Sequence, residues 1–183
     1  MGKILGEKYY VIEEGLNGRT TNIEYPDLEG RSGASYIIPC LYSHSPLDIV
    51  ILQLGVNDLK IIFNRGIRDI RDGIIVIVNL IQNSLYGPDM QSAPQILLVA
   101  PPPLEHEGYK DADNISIFSG AIEKSLEFNR YFCEVAEIKN CHYLNLADYV
   151  RYSHVDGLHL DQNGHKTTAK VLSEKIKKIF GDN

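Results

Sequence analysis

Ile49-Val50-Ile51-Leu52-Gln53-Leu54, closed by Gly55, is the stretch on which the fold turns. A strand with one wet face alternates apolar and polar residues, whereas a strand covered on both faces is apolar almost throughout. This run is of the second kind. Gln95-Ile96-Leu97-Leu98-Val99-Ala100 repeats it and stops at Pro101, and two shorter runs, Tyr9-Tyr10-Val11-Ile12 and His142-Tyr143-Leu144-Asn145-Leu146, are weaker versions. Four strands buried on both faces predict a parallel sheet.

Working outward, the intervals carry helical spacing. Val171, Leu172, Ile176, Ile179 and Phe180 recur every three or four residues with lysines between them, and Asp161 stands where an N-cap belongs. Ile122, Leu126, Asn129, Phe132 and Ala136 predict a helix over 121–137, and a shorter one is expected over 34–43. The β-branched run from Gly73 to Ile81 suits a strand by composition. Ile67, Ile70, Ile74, Ile77 and Ile81 nevertheless keep helical spacing over a span longer than a strand's usual ~5 to 6 residues, so a helix is expected. Strand and helix thus alternate, predicting a doubly wound α/β sandwich. The long aperiodic connection 101–120 is expected to wall or cover a site, because loops of that length are uncommon without a function.

The bulk numbers narrow the class. A chain of 183 residues, 44% hydrophobic and 23% charged, fits one domain over 1–183. A net charge of -6 leaves no basic stripe to neutralise phosphates, so nucleic acid is not an expected partner. No apolar stretch reaches the ~18 residues of a membrane span or resembles a signal peptide, and the expectation is a cytoplasmic protein without membrane attachment. Cys40, Cys133 and Cys141 are odd in number and lack metal-ligand spacing. They are expected to be buried small apolar groups, with neither disulfides nor metal nor cofactor.

In an open parallel sheet, ligands bind beyond the carboxyl ends of the strands, and the unusual residues of this chain lie there. Asp156 and His159 flank Gly157, so one turn brings the carboxylate to the imidazole. Such a carboxylate fixes the tautomer and leaves the other ring nitrogen to take a proton. The same spacing also occurs as an incidental surface pair. Asn57, two residues after Gly55, offers uncharged amide donors to a developing alkoxide, as does a backbone N–H such as that of Gly18. Gly55 and Asn57 also suit a simple turn. Asp58 reads as a buried orienter or helix cap, and Arg19 either lines the mouth of the site or makes a surface ion pair. His44, His154 and His165 read as structural or solvated.

In order along the chain, Gly15-Leu16-Asn17-Gly18-Arg19-Thr20-Thr21, then Leu54-Gly55-Val56-Asn57-Asp58, then Asp156-Gly157-Leu158-His159-Leu160 with Gly164-His165, resemble the second, third and fifth conserved blocks of the SGNH (GDSL-type) hydrolases. Pro39-Cys40-Leu41 and Pro46-Leu47-Asp48 make the arylesterase and acyltransferase branch the most similar. The resemblance runs from about Tyr9 onward. It implies a three-layer α/β/α sandwich of flavodoxin type acting on small acyl esters through a serine acyl-enzyme. His159 is then the base, Asp156 its orienter, and Asn57 with the Gly18 amide the oxyanion donors.

The family's nucleophile stands in a Gly-Asp-Ser block after a first, central strand, and the 183 residues contain neither that block nor Gly-x-Ser-x-Gly. Ser32, in Gly30-Arg31-Ser32-Gly33, lies where the family has no nucleophile. The missing strand would run between residues 9–12 and the run at Ile49. Neighbouring parallel strands are only ~4.8 Å apart, so its omission leaves buried amides unpaired. Three expectations follow: a longer natural chain for which Met1-Gly2-Lys3-Ile4-Leu5-Gly6 is the tail of a helix, closure of the gap, or exchange of a segment in a homo-oligomer. A non-catalytic SGNH-like binding protein is the alternative function. A metal hydrolase has no ligand motif to support it.

Overall fold

The computed structural model describes residues 1–108, 110 and 115–182. Its elements in order are α1 (Gly2–Leu5), α2 (Gly33–His44), β1 (Ile49–Leu52), α3 (Ile67–Gln82), β2 (Gln95–Ala100), α4 (Ala121–Leu126), α5 (Phe128–Ile138), β3 (His142–Asn145) and α6 (Gln162–Phe180). Short 3-10 turns occupy Asn57–Leu59, Ile61–Phe63 and Leu146–Asp148. The sheet order is β1-β2-β3, and both pairings are parallel, with Ile49 opposite Gln95 and Leu97 opposite His142. This is the predicted mixed α/β architecture, with helices on both sides of a parallel sheet.

The apolar run of β2 is explained by where its side chains go. Ile96, Leu98 and Ala100 join Ile70, Ile74, Phe128 and Phe132 in one core, while Leu97 and Val99 join Leu144, Val171, Leu172 and Ile176 in another. Successive side chains of a strand point to opposite faces, so each face of the sheet has its own helical cover.

Helix α3 settles the ambiguous span in favour of a helix. Ile70, Gly73, Ile74, Ile77, Val78 and Ile81 are its buried residues, at three- and four-residue intervals that a strand would scatter over two faces. Asp161 caps α6 by accepting from the Gly164 N–H at 2.7 Å, and Gly181 closes it in left-handed conformation.

Three expectations need correction. The helix expected over 121–137 is two helices, broken at Glu127, whose N–H turns back to Lys124 O and Ser125 O. The cysteines are half-buried rather than buried, and of the three Cys141 packs against the edge of a core. Residues 9–12 form no strand. Tyr10 is 91% exposed, and among the described residues only Tyr9 in this run makes a backbone hydrogen bond outside regular structure, to Gly6. β propensity alone cannot hold a strand when no neighbour supplies a ladder.

A cavity of about 530 Å³ lies between residues 9–12 and β1. Its walls also include Tyr36, Cys40 and Leu41 of α2 on one side, and Leu5 and Ile176 of α1 and α6 on the other. Accordingly, Ile49, Val50 and Ile51 are only half-buried, whereas β2 is buried from Ile96 to its end.

Candidate active site

The three strands are parallel, so the segments leaving β1, β2 and β3 all emerge at one edge of the sheet. Gly55 makes the exit from β1 compact: its φ is 114°, and a Cβ there would stand 3.1 Å from Ile70, 3.3 Å from Phe132 and 3.4 Å from Phe128. The chain then turns through Asn57–Leu59, and the Asn57 side-chain amide donates to Arg19 O at 3.1 Å. An amide nitrogen carries two hydrogens, so one remains for a ligand. Gly18 occupies the turn closed by the Arg19 N–H to Leu16 O bond, and among the described residues its own N–H donates to no protein group.

Asp58 is fully buried and joins these two segments. Its carboxylate accepts from Thr21 N at 2.9 Å and from the Thr21 hydroxyl, and it pairs with Arg65 Nη1 at 2.7 Å. Burial pushes its pKa above the ordinary carboxylate value, against the opposing pull of Thr21 and Arg65. Arg65 extends the network to Asn22 Oδ1 at 2.8 Å and to the Asp69 carbonyl. This group holds the Gly18–Thr21 segment against the turn that carries Asn57. Thr21 closes the Gly15–Thr21 block, but Arg65 stands in no motif of the sequence, although a carboxylate that must be buried signals a cation nearby.

After β3 the chain reaches the second predicted group. His159 Nδ1 lies 2.7 Å from Asp156 Oδ2, and Asp156 Oδ1 accepts from the N–H groups of Leu158 and His159 at 3.0 Å each. Burial by itself would raise the Asp156 pKa. The Leu158 N–H, the His159 ring and the His159 N–H outweigh it and hold the carboxyl at about 2. The imidazole is thus oriented by an anion at one nitrogen while its side chain stays 69% exposed. Gly157 allows the turn, with φ 69°, and a Cβ on it would come within 2.7 Å of the His106 N.

The connection after β2 packs against that turn: Glu105 N–H donates to Gly157 O at 3.2 Å, and His106 Nε2 lies 3.2 Å from His154 O. It also reaches the segment after Asn57, through the Ile61 N–H to Ile117 O bond at 2.9 Å. Part of this expected wall, residues 109 and 111–114, lies outside the described residues. The structure therefore gathers Gly18, Arg19, Gly55, Asn57 and Asp58 in one group and Asp156 with His159 in another. The cavity beside β1 is lined by Arg19, Gly55 and Asn57, and Asp156 and His159 are not among its walls.

The remaining candidates have other roles. Ser32 caps α2 by accepting from Ser35 N at 3.3 Å. The Arg19 guanidinium lies 4.2 Å above the Tyr36 ring, and its Nε and Nη1 are buried without a hydrogen-bond partner among the described residues. Glu14, Cys40 and His44 bring one ligand atom each within 4.8 Å of one another, a cluster that sequence spacing concealed because Glu14 lies on a distant segment. Its groups are already engaged with each other: the Tyr36 hydroxyl donates to Glu14 Oε2 at 2.7 Å, and His44 Nε2 lies 2.6 Å from Glu14 Oε1. These two contacts, Tyr36 first, lower the Glu14 pKa, and the Tyr36 hydroxyl is pushed up to about 12 by its bond to Glu14.

No family model and no curated protein matches the sequence. Solved structures do. An aryl esterase of M. smegmatis in its inhibitor-bound form is 34% identical over 97% of this chain and 82% of its own, with a TM-score of 0.88. A carbohydrate acetylesterase from Sinorhizobium meliloti is 31% identical over 97% of this chain and 82% of its own, with a TM-score of 0.89. A lipase/acylhydrolase from Enterococcus faecalis, 17% identical with a TM-score of 0.56 over 88% of this chain and 72% of its own, shares the fold. With the fold, the ordered motifs and identity above 30% to esterases in agreement, this chain belongs to the SGNH (GDSL-type) hydrolase family.

Proposed function

We propose that this chain provides the base and oxyanion elements of a serine ester hydrolase acting on small acyl esters, with the nucleophilic serine supplied by a segment outside the 183 residues. The observation that carries this reading is the Asp156–His159 pair, 2.7 Å apart, with the imidazole otherwise open. Asp156 orients the ring through Nδ1, and His159 Nε2 takes the proton of the serine hydroxyl as Oγ bonds to the acyl carbon. The alkoxide formed on the former carbonyl is met by the Asn57 amide and the Gly18 N–H. On collapse the acyl C–O bond to the alcohol breaks, and the alcohol leaves with the proton from Nε2. Water then repeats the sequence on the acyl-enzyme, releasing the acid.

Esterase identities near 30% support the substrate class, and the acetyl-bearing substrates named for one of those proteins fit a small acyl group. The test is to supply a strand ending in Gly-Asp-Ser to the folded chain, then to measure p-nitrophenyl acetate turnover and labelling by a fluorophosphonate. A folded, complemented protein that neither cleaves the ester nor takes the label would overturn the proposal. The absence of Gly-Asp-Ser from the 183 residues favours a second reading, a non-catalytic protein that binds acyl ligands with the same residues. Saturable binding of an acetyl ester without turnover by the complemented protein is its signature.

A further inference from the structure

We infer that Glu14, Cys40 and His44 form a binding site for a divalent cation of zinc type, which ties the segment before the Gly15–Thr21 block to α2. Their ligand atoms already lie within 4.8 Å of one another. Cys40 and His44 are four residues apart on α2, so both side chains leave one face of that helix. Glu14 comes from a separate, irregular segment. A thiolate, an imidazole and a carboxylate are donors that zinc takes at about 2.0–2.3 Å, and a tetrahedral ion would hold them roughly 3.3–3.7 Å apart. His44 Nε2 and Glu14 Oε1 stand at 2.6 Å with a proton between them, so they need part by under about 1 Å to take an ion in its place. The fourth position is open to water, because the Glu14 and His44 side chains are 36% and 31% exposed.

The surroundings favour a cation at this point. Glu14 is held ionised by the Tyr36 hydroxyl and by His44. Burial and then the Glu14 charge push the Cys40 thiol up, and Tyr36 and Arg19 offset them only in part. A divalent ion between the two residues removes that repulsion, since it neutralises the carboxylate and binds the thiolate directly. The Tyr36 hydroxyl, 2.7 Å from Glu14 Oε2, orients the carboxylate and leaves Oε1 to the metal, as groups behind metal ligands do. On binding, the Cys40 proton passes to solvent, and His44 ligates as the neutral ring through Nε2 with its proton on Nδ1. The ion and its two anionic ligands are then neutral together, as suits a site near the Arg19 guanidinium. The site tethers rather than catalyses: its three residues line the cavity beside β1, whereas Asp156 and His159 do not. Glu14 adjoins Gly15, so fixing its carboxylate to α2 anchors the block that carries Gly18.

The test needs no ester substrate, and its outcome is independent of the serine hydrolase reading. The 183-residue protein is titrated with Co²⁺, and with Zn²⁺ in competition with a chromophoric chelator, while amide exchange is followed in parallel. We expect one ion per chain at about micromolar affinity or tighter, with a thiolate-to-cobalt charge-transfer band and visible bands of tetrahedral intensity. Zn²⁺ should slow exchange of residues 11–14 about tenfold or more and leave the β2 control, 96–99, unchanged. Cys40→Ser should abolish the charge-transfer band, and His44→Gln and Glu14→Gln should each weaken Zn²⁺ binding at least about tenfold. The double variant Cys133→Ser/Cys141→Ser should bind as before. Glu14→Gln replaces one atom at a partly exposed position, which keeps the comparison open if Cys40→Ser does not fold. No binding, a charge-transfer band that is lost in the Cys133/Cys141 variant, or unchanged affinity in both Glu14→Gln and His44→Gln overturns the inference. Ester cleavage by the serine-complemented protein, or its absence, bears on the hydrolase reading alone.

Discussion

Thr21 gives both its backbone N–H and its hydroxyl to the carboxylate of Asp58, across 37 residues of sequence. That one buried acceptor ties the loop bearing Gly18 to the turn bearing Asn57. The relationship sets the spacing between the two proposed oxyanion donors, and several measurable consequences depend on it.

Arg65 is the cation that compensates Asp58, with a side chain only 11% exposed. Arg65→Met removes it while keeping much of the packing, and leaves a fully buried carboxylate uncompensated. The expected loss is about 3 kcal/mol at pH 7, read by urea denaturation. Because burial already raises the Asp58 pKa and the variant raises it further, the protonated form is favoured in the folded state. The penalty should therefore shrink as the pH is lowered and Asp58 takes up its proton. A penalty that grows on acidification would contradict this account.

Gly73 lies inside α3, where alanine would ordinarily add about 1 kcal/mol of helix propensity. Here a Cβ would stand 2.2 Å from Thr21 Oγ1 and 2.7 Å from Asn22 Oδ1. Gly73→Ala is expected to destabilise the protein by roughly 1–3 kcal/mol, since both neighbours are held by the Arg65 network and cannot withdraw freely. A rise in the denaturation midpoint would show that the loop yields easily.

Asp156 has a folded pKa of about 2, below its ordinary 3.8. The unfolded chain thus takes up this proton first as the pH falls. The stabilisation is fully present above about pH 5 and disappears between about pH 4 and pH 2. Asp156→Asn should flatten the stability profile in that window, as measured by thermal unfolding against pH. In the serine-complemented protein the same substitution should lower kcat by about 10⁴ through loss of the ring's orientation.

Asn57→Ala in the complemented protein should lower kcat by about 10²–10³ with little change in KM, because its free amide hydrogen serves the alkoxide rather than the bound ester. An equal loss in KM, with kcat intact, would place Asn57 in ground-state binding instead.

Much of this was legible in the residues themselves. Continuous apolarity in 49–52 and 96–100 identifies strands covered on both faces, and isoleucine spacing identifies α3, because both patterns are local records of which directions face a core. The turn around Gly157 is equally local: Asp156 and His159 need only three residues to meet.

Tertiary structure alone decided the rest. That Tyr9–Ile12, rich in β-forming residues, stays irregular depends on a ladder partner, which no local preference can replace. That Asp58 is compensated by Arg65 and Thr21, that Glu14 meets His44, and that two Arg19 nitrogens find no partner among the described residues depends on segments far apart in the chain. Backbone hydrogen bonds and charge compensation are pairwise requirements, so a sequence states the need for a partner while only the folded chain shows which residue meets it, or that none does.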